Sequence, residues 1–291
     1  MSFHGEGIYH IEHARVAVRI ALASPSSDDG TPVVGWSVNE DVLHHMWLVE
    51  SVLNEEDTYT IRNTVSGTYM DLTGSSAATE TPIIGFRKVL PGENQKWIIK
   101  KESTGTGFWK IQNKATGTFL DLWNGGGGNG TKITGCKGSW AVDNTTSLGH
   151  QHWTFRPQSL RGDEVHRILR DSPHLRQGSQ SYRSDGKYLI LSEARFQEIW
   201  RTSGLQDRRW RSEIFDYEDF AFVFKAEVAK WGDNQFKADG FAILCGVMFS
   251  SGRQGRSAYN WMINSEDHTA IVFFEPQTNT FVNPPTYFGV F

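Results

Sequence analysis

Among the side-chain types that make or break bonds, the thiols of this 291-residue sequence are the scarcest. There are two, Cys136 and Cys245, one in each half. A pair so placed is no disulfide framework and fits a reducing cytosol or export by a route without a leader. Asp216, Glu218, Asp219, Glu275 and Gln277 carry oxygens that could converge on a hard cation. The acidic ones would equally suit the first turn of a helix, whose dipole favours them. The stretch Asn124 to Gly130 is glycine-rich like a phosphate loop, but it lacks the Lys-Ser/Thr pair and the following helix. Asn129-Gly-Thr131 and Asn144-Thr-Thr146 match the glycosylation acceptor pattern, and with no leader segment they are expected to go unused. The 11 Trp and 18 Phe are the other resource. Most must be core, and some are candidate ring platforms for a ligand.

The elements that must position these residues repeat. Tyr9 and Ile11 recur as Tyr59 and Ile61 and again as Trp109 and Ile111, at a period of 50 residues. Gly35 recurs as Gly85 and Gly135, and Trp47 as Trp97 and Trp153. Each copy must therefore be the same supersecondary unit. Short alternating apolar runs, separated by Gly, Ser, Asn and Pro, mark four strands per copy. Twelve strands in three copies predict a β-trefoil, with the three Trp rings in its core. The glycine-rich stretch aligns with Ser24 to Gly30 and Gly74 to Glu80, which makes it a repeat loop.

Charge and hydropathy exclude some classes. The net charge is −4 and no basic stripe is visible, so nucleic acid is not an expected partner. No run of eighteen apolar residues offers a membrane span. Met1 to His10 is polar, which predicts cytoplasmic residence or leaderless export.

With the repeat in hand, its Gln-x-Trp ends (Gln95-Lys-Trp97, Gln151-His-Trp153) resemble those of the ricin-type β-trefoil lectins. In that family an Asp of the second strand holds a pair of sugar hydroxyls. A ring at the end of the third strand stacks on the pyranose, and an Asn or His before the Gln-x-Trp completes the hydrogen bonds. This suits a sugar, which has one C–H face for a ring and a rim of hydroxyls for carboxylate and amide. Carried over by position, the second repeat is complete with Asp71, Phe86, Asn94 and Gln95. The third has Asp121, His150 and Gln151, with Cys136 where the ring belongs. A six-residue insertion there brings Trp140, a candidate replacement platform. The first keeps Trp36 and His44 but has Ala21 for the Asp and His45 for the Gln, so a weak or dead site is expected.

Composition changes near Pro157, where charge rises. Helices are expected from Asp163 to Arg170 and from Glu193 to about Thr202, with a strand at Lys187–Leu191 between them. Phe220, Phe224, Val228 and Trp231 share one face of a third helix read as ending at Gly232. Strands are expected at Gly240–Phe249, Ala258–Ile263 and Thr269–Phe274, giving an α+β domain. Phe215-Asp-Tyr-Glu-Asp-Phe-Ala221, Ala229-Lys-Trp-Gly232, Ala258-Tyr-Asn260 and Phe273-Phe-Glu-Pro-Gln277 resemble the fungal chimeric lectins of the Marasmius oreades agglutinin and Polyporus squamosus lectin family. The resemblance runs over nearly the whole chain.

It implies a β-trefoil over residues 1–156 and a papain-like domain over 157–291. In the family that domain is a calcium-dependent cysteine protease where active. Here Tyr217 stands at the nucleophile position and Ser257 at the histidine position, and only Glu275 of the triad remains. A phenol with a pKa of about 10 is a poor nucleophile at neutral pH, and serine is no general base for it. A pseudo-protease that mediates homodimerisation is expected, with exposed apolar residues near Trp261 and Phe288 taking part. No cofactor is required for lectin activity. Calcium held by Asp219, Glu275 and Gln277 is one outcome of the resemblance. The expected partners are cell-surface glycans ending in galactose, α-linked or α2,6-sialylated. The rival reading is a glycan-targeted hydrolase with a mechanism that needs neither lost residue. Cys245 and His268 are expected to be a buried inert thiol and an exposed turn residue.

Overall fold

Alternating apolar and polar side chains make half-buried strands, and glycine-bearing turns end them. In the computed structural model this produces twelve strands before Pro157. They are β1 (Gly7–His13), β2 (Val18–Leu22), β3 (Thr31–Ser37), β4 (Trp47–Ser51), β5 (Thr58–Asn63), β6 (Tyr69–Leu72), β7 (Thr81–Phe86), β8 (Lys96–Lys101), β9 (Trp109–Asn113), β10 (Phe119–Leu122), β11 (Thr131–Cys136) and β12 (Trp153–Pro157). The structure describes residues 3–38, 42–102, 107–140, 148–173, 185–252, 255–282 and 287–290.

Three-fold repetition governs the packing. Trp47, Trp97 and Trp153 are fully buried, and each indole N–H donates to the equivalent carbonyl of its own repeat: Ile20 at 2.8 Å, Met70 at 2.9 Å and Leu120 at 3.1 Å. The third strands pair in a closed ring, β3 with β7, β7 with β11 and β11 with β3. Gly35, Gly85 and Gly135 are required by this ring. A Cβ on each would lie 2.8, 2.9 and 2.6 Å from a methyl of Leu122, Leu22 and Leu72, each from the neighbouring repeat. Phe3 closes the barrel. Its ring centroid lies 5.4, 5.2 and 5.1 Å from those of Tyr9, Tyr59 and Trp109, the aromatic trio that marks the repeat.

A first expected result follows from the ring of glycines. Gly135→Ala should cost about 1–3 kcal/mol, because Leu72 and Thr118 must both shift to admit the methyl. Urea denaturation measures it, and an unchanged midpoint would show that the leucine contact is slack.

The chain divides into two units, Met1–Pro157 with Phe236–Asp239, and Gln158–Gln235 with Gly240–Phe291. The short segment is held in the first unit by Lys237 N–H on Thr64 O (3.2 Å) and by the Arg62–Asp239 ion pair. The second unit comprises β13 (Ser159–Arg161), α1 (Gly162–Arg170), β14 (Lys187–Leu189), α2 (Glu193–Thr202), α3 (Tyr217–Gln235), β15 (Ala242–Ile243), β16 (Gly246–Gly252), β17 (Gly255–Ile263), β18 (Ile271–Glu275), β19 (Thr280–Val282) and β20 (Tyr287–Val290). Three strands form the sheet β13-β14-β15 and five form the antiparallel sheet β19-β18-β17-β16-β20.

Three sequence readings change here. The strand read through Gly240–Phe249 is broken into β15 and β16 at Leu244–Cys245. α3 continues through Gly232 to Gln235; that glycine serves a close approach, since a Cβ there would lie 2.6 Å from Ile243 Cδ1. Trp261 is 1 % exposed and lies in the core of the second unit, so it cannot present an apolar surface, while the side chain of Phe288 falls outside the described residues. No helix among the described residues is long and apolar enough to cross a membrane.

Candidate functional site

The hairpin of β6 and β7 carries the second-repeat residues. Its register sets Tyr69 opposite Phe86 and Asp71 opposite Ile84, so Asp71 and Tyr69 share a face. Asn94 and Gln95 arrive on a short helical turn, Glu93–Gln95. Gly92 starts that turn at φ 58°, where a Cβ would lie 2.3 Å from Val89 O. The turn delivers two amides to one carboxylate. Asn94 Nδ2 donates to Asp71 Oδ1 at 2.8 Å and Gln95 Nε2 to Asp71 Oδ2 at 2.9 Å. Gln95 is itself fixed, donating to Arg87 O at 2.7 Å and accepting Val89 N–H at 3.0 Å.

Burial pushes the Asp71 pKa up, the two amide bonds draw it back down, and Asp29 pushes it up again. Each carboxylate oxygen keeps a lone pair beyond the one its amide uses, free for a hydroxyl donor. Phe86 is half-buried at the strand end, with the Arg87 guanidinium 5.7 Å from its ring. Arg87 is anchored by Asp29, which accepts its N–H at 2.7 Å and pairs with its guanidinium at 3.1 Å. Asp29 belongs to the first repeat, and sequence reasoning missed this support because the bond spans two repeats.

The third repeat places Asp121 on β10 in the same relation to Gln151, whose Nε2 donates to it at 3.0 Å and to Lys137 O at 3.1 Å. Burial, with Glu80 adding, pushes Asp121 up to about 6 against the Gln151 bond. His150 lies over Gly125, where a Cβ would come within 2.8 Å of its ring, and among the described residues it makes no hydrogen bond to Asp121. Cys136 pairs with Phe119 across the hairpin, and the Trp140 ring stands edge-on to Phe119 at 4.9 Å. The indole is thus beside the strand end that lacks its own ring.

In the first repeat Ala21 is buried and offers no carboxylate. His45 is fully buried with neither ring nitrogen hydrogen-bonded, and His44 and Trp36 are half-buried.

In the second unit the residues at the triad positions lie on α3, β17 and β18. Tyr217 begins α3, packed against the cluster of Ala221, Val247 and Ala258, with its ring 5.9 Å from Trp210. Ser257 sits on β17 opposite Ser250. Glu275 ends β18 and accepts the Thr278 hydroxyl at 2.7 Å. Among the described residues no hydrogen bond joins Tyr217, Ser257 and Glu275. Cys245 is buried, which pushes its thiol up to about 12 and leaves it inert. His268 lies in a turn and is half-buried, where an exposed residue was expected. Asp219 Oδ2 caps the helix start by accepting Asp216 N–H at 3.0 Å. Among the described residues no three His, Cys, Asp or Glu side chains converge as a metal cluster.

Two family models match the chain, one described as ricin-type beta-trefoil lectin domain-like over residues 2–86 and 44–136, the other as agglutinin C-terminal over residues 188–281. Over the full length of both chains it is similar to the Polyporus squamosus lectin bound to the human-type influenza-binding epitope Neu5Acα2-6Galβ1-4GlcNAc, with 46 % identity and a TM-score of 0.88. It is similar over the same extent to the protein of a PSL1a–E64 complex, with 44 % identity and a TM-score of 0.87. A comparison with curated proteins returns no match.

Proposed function

This chain belongs to the family of the Polyporus squamosus lectin, a ricin-type β-trefoil joined to an agglutinin C-terminal domain, and from that membership we propose a lectin for glycans ending in galactose, bare or α2,6-sialylated. The observation that carries the reading is Asp71. Its two oxygens are each fixed by an amide and each retain an acceptor site, beside the half-buried Phe86 ring. Two adjacent sugar hydroxyls donate to the carboxylate, and the apolar pyranose face lies on Phe86. A glycan array tests this. Binding confined to galactose-terminated or sialylated-galactose glycans is expected, and selective binding of mannose- or glucose-ended glycans would overturn it.

The third repeat is proposed as a second site that uses Trp140 as its platform. Trp140→Ala should remove one bound glycan per chain. The third site should also weaken as pH falls from 7 through about 6, because the Asp121 carboxylate takes up a proton there and loses an acceptor. Titration calorimetry at pH 7 and pH 5 reads both effects, and unchanged stoichiometry in Trp140→Ala would show that the indole is only a core ring.

The second unit is proposed as a papain-like domain without protease activity that holds two chains together, so that paired trefoils gain avidity on a cell surface. The unmodified chain should cleave no peptide, with or without millimolar calcium, and Tyr217→Cys with Ser257→His should be needed to restore thiol-dependent cleavage. Cleavage by the parent that Tyr217→Phe abolishes would instead establish a hydrolase.

A further inference from the structure

The trefoil presents one space three times, and its contents differ. In the third repeat the space is filled by Lys110, fully buried, whose ammonium donates to Ser139 O at 2.6 Å and lies 3.8 Å from the Glu102 carboxylate. Phe119 is buried in the same repeat. In the first repeat, fifty residues per copy places His10 at the Lys110 position and Arg19 at the Phe119 position, and both are buried. In the second repeat the same positions are Thr60 and Tyr69. Threonine is too short to fill what a lysine fills. A cavity of about 470 Å³ opens there, with Glu50, Val52, Thr60, Tyr69, Val89 and Gln95 in its wall. Cavities of roughly 300–1,000 Å³ are the usual size for small ligands.

The charges around it can be followed one by one. Glu50 is the direct cross-strand partner of Thr60, so its carboxylate stands beside the position from which Lys110 projects in the third repeat. Among the described residues Glu50 has no ion-pair partner. Lys96 also lines the cavity, but its ammonium is held by Glu55 at 2.9 Å and Glu93 at 2.6 Å. Lys88 lies at the rim with its ammonium 5.6 Å from the Tyr69 ring, and the Arg62 guanidinium is 5.5 Å from the same ring. The Tyr69 ring is thus already flanked by two cations, and Lys88 is the like charge that an incoming ammonium meets at the rim. Val52, Val89 and Pro91 add apolar wall suited to methylenes.

We propose that this second-repeat cavity binds a primary alkylammonium, a lysine-like chain that occupies the space Lys110 fills in the third repeat, with its methylenes on the apolar wall and its ammonium on Glu50. It is distinct from the Asp71 site. Gln95 stands between them, with its amide nitrogen on Asp71 and its amide oxygen on Val89 N–H.

The test uses the full chain with 1,5-diaminopentane and n-butylamine as probes, followed by calorimetry and by backbone amide shifts around Glu50 and Val89. Millimolar amine should bind at low salt. Glu50→Gln should weaken it roughly tenfold, the size of one charge-assisted contact. Lys88→Gln should tighten it several-fold by removing a like charge. Thr60→Lys, which rebuilds the third-repeat arrangement, should abolish amine binding and leave glycan binding at Asp71 unchanged. Three results would overturn the proposal: no amine binding at millimolar concentration, amine binding to a folded Thr60→Lys that equals the parent, or preferential binding of n-butyrate that Lys88→Gln weakens. Should Thr60→Lys fail to fold, the opposite signs predicted for Glu50→Gln and Lys88→Gln decide the matter.

Discussion

Asp71→Ala should lower glycan affinity at the second repeat by about ten- to a hundredfold, the equivalent of roughly 1.5–3 kcal/mol for charge-assisted hydrogen bonds. The loss has two sources. The hydroxyl acceptors disappear, and the amides of Asn94 and Gln95 lose the carboxylate that orients them. Gln95 keeps Arg87 O as a partner and Asn94 keeps Leu72 O at 3.1 Å, so the fold should survive the change. Stability should therefore fall much less than affinity. Calorimetry beside urea denaturation separates the two. Wild-type affinity in Asp71→Ala, with loss only in Asp121→Ala, would show that the third repeat and not the second carries binding.

The second large effect concerns acid. His45 is fully buried without a hydrogen bond, and burial, with His44 and Arg19 adding, pushes it down to about 3. The unfolded chain protonates this ring near its ordinary value of 6.5, while the folded chain refuses the proton until about 3. The unfolded state thus binds more protons over that window, and stability is lost as pH falls from 6.5 toward 3. At about 1.4 kcal/mol per pH unit the loss reaches on the order of 3 kcal/mol by pH 4.5. Asp121 works in the opposite sense, because its raised pKa costs stability as pH rises from 3.8 to about 6. The comparison must therefore be with His45→Gln, which places the side chain of Gln95 and Gln151 at the same position. The variant should lose about 3 kcal/mol less than the parent between pH 7 and pH 4.5, by urea denaturation. Parallel stability curves would show that His45 does not drive acid sensitivity.

How much of this was legible in the sequence depended on periodicity. The twelve strands and the core Trp trio follow from the fifty-residue spacing, since each copy confirms the others. Gly35, Gly85 and Gly135 were visible by the same spacing, but the leucine each one admits comes from a neighbouring repeat and carries no local signal. Phe3 closes the barrel as a single residue, and no repeat announces a residue that occurs once. Outside the repeat the reading was coarser. Gly232 reads as a helix stop, yet it is there because α3 passes Ile243 closely. Trp261, near which exposed apolar residues were expected, is itself part of the core of the second unit, a packing that its strand pattern alone does not reveal. The Asp71, Asn94 and Gln95 positions came from motif resemblance, and the hydrogen bonds among them are visible only in the structure. That Trp140 packs on Phe119 was not legible, because the insertion has no counterpart in the other repeats.

The central claim is that glycans bind through the carboxylates of the second and third repeats and not through the first. Calorimetric titration of the intact chain with a galactose-terminated trisaccharide tests it most directly. The account predicts saturation at two sites per chain, one in either Asp71→Ala or Asp121→Ala, and none in the double variant. A folded double variant that binds like the parent would contradict it.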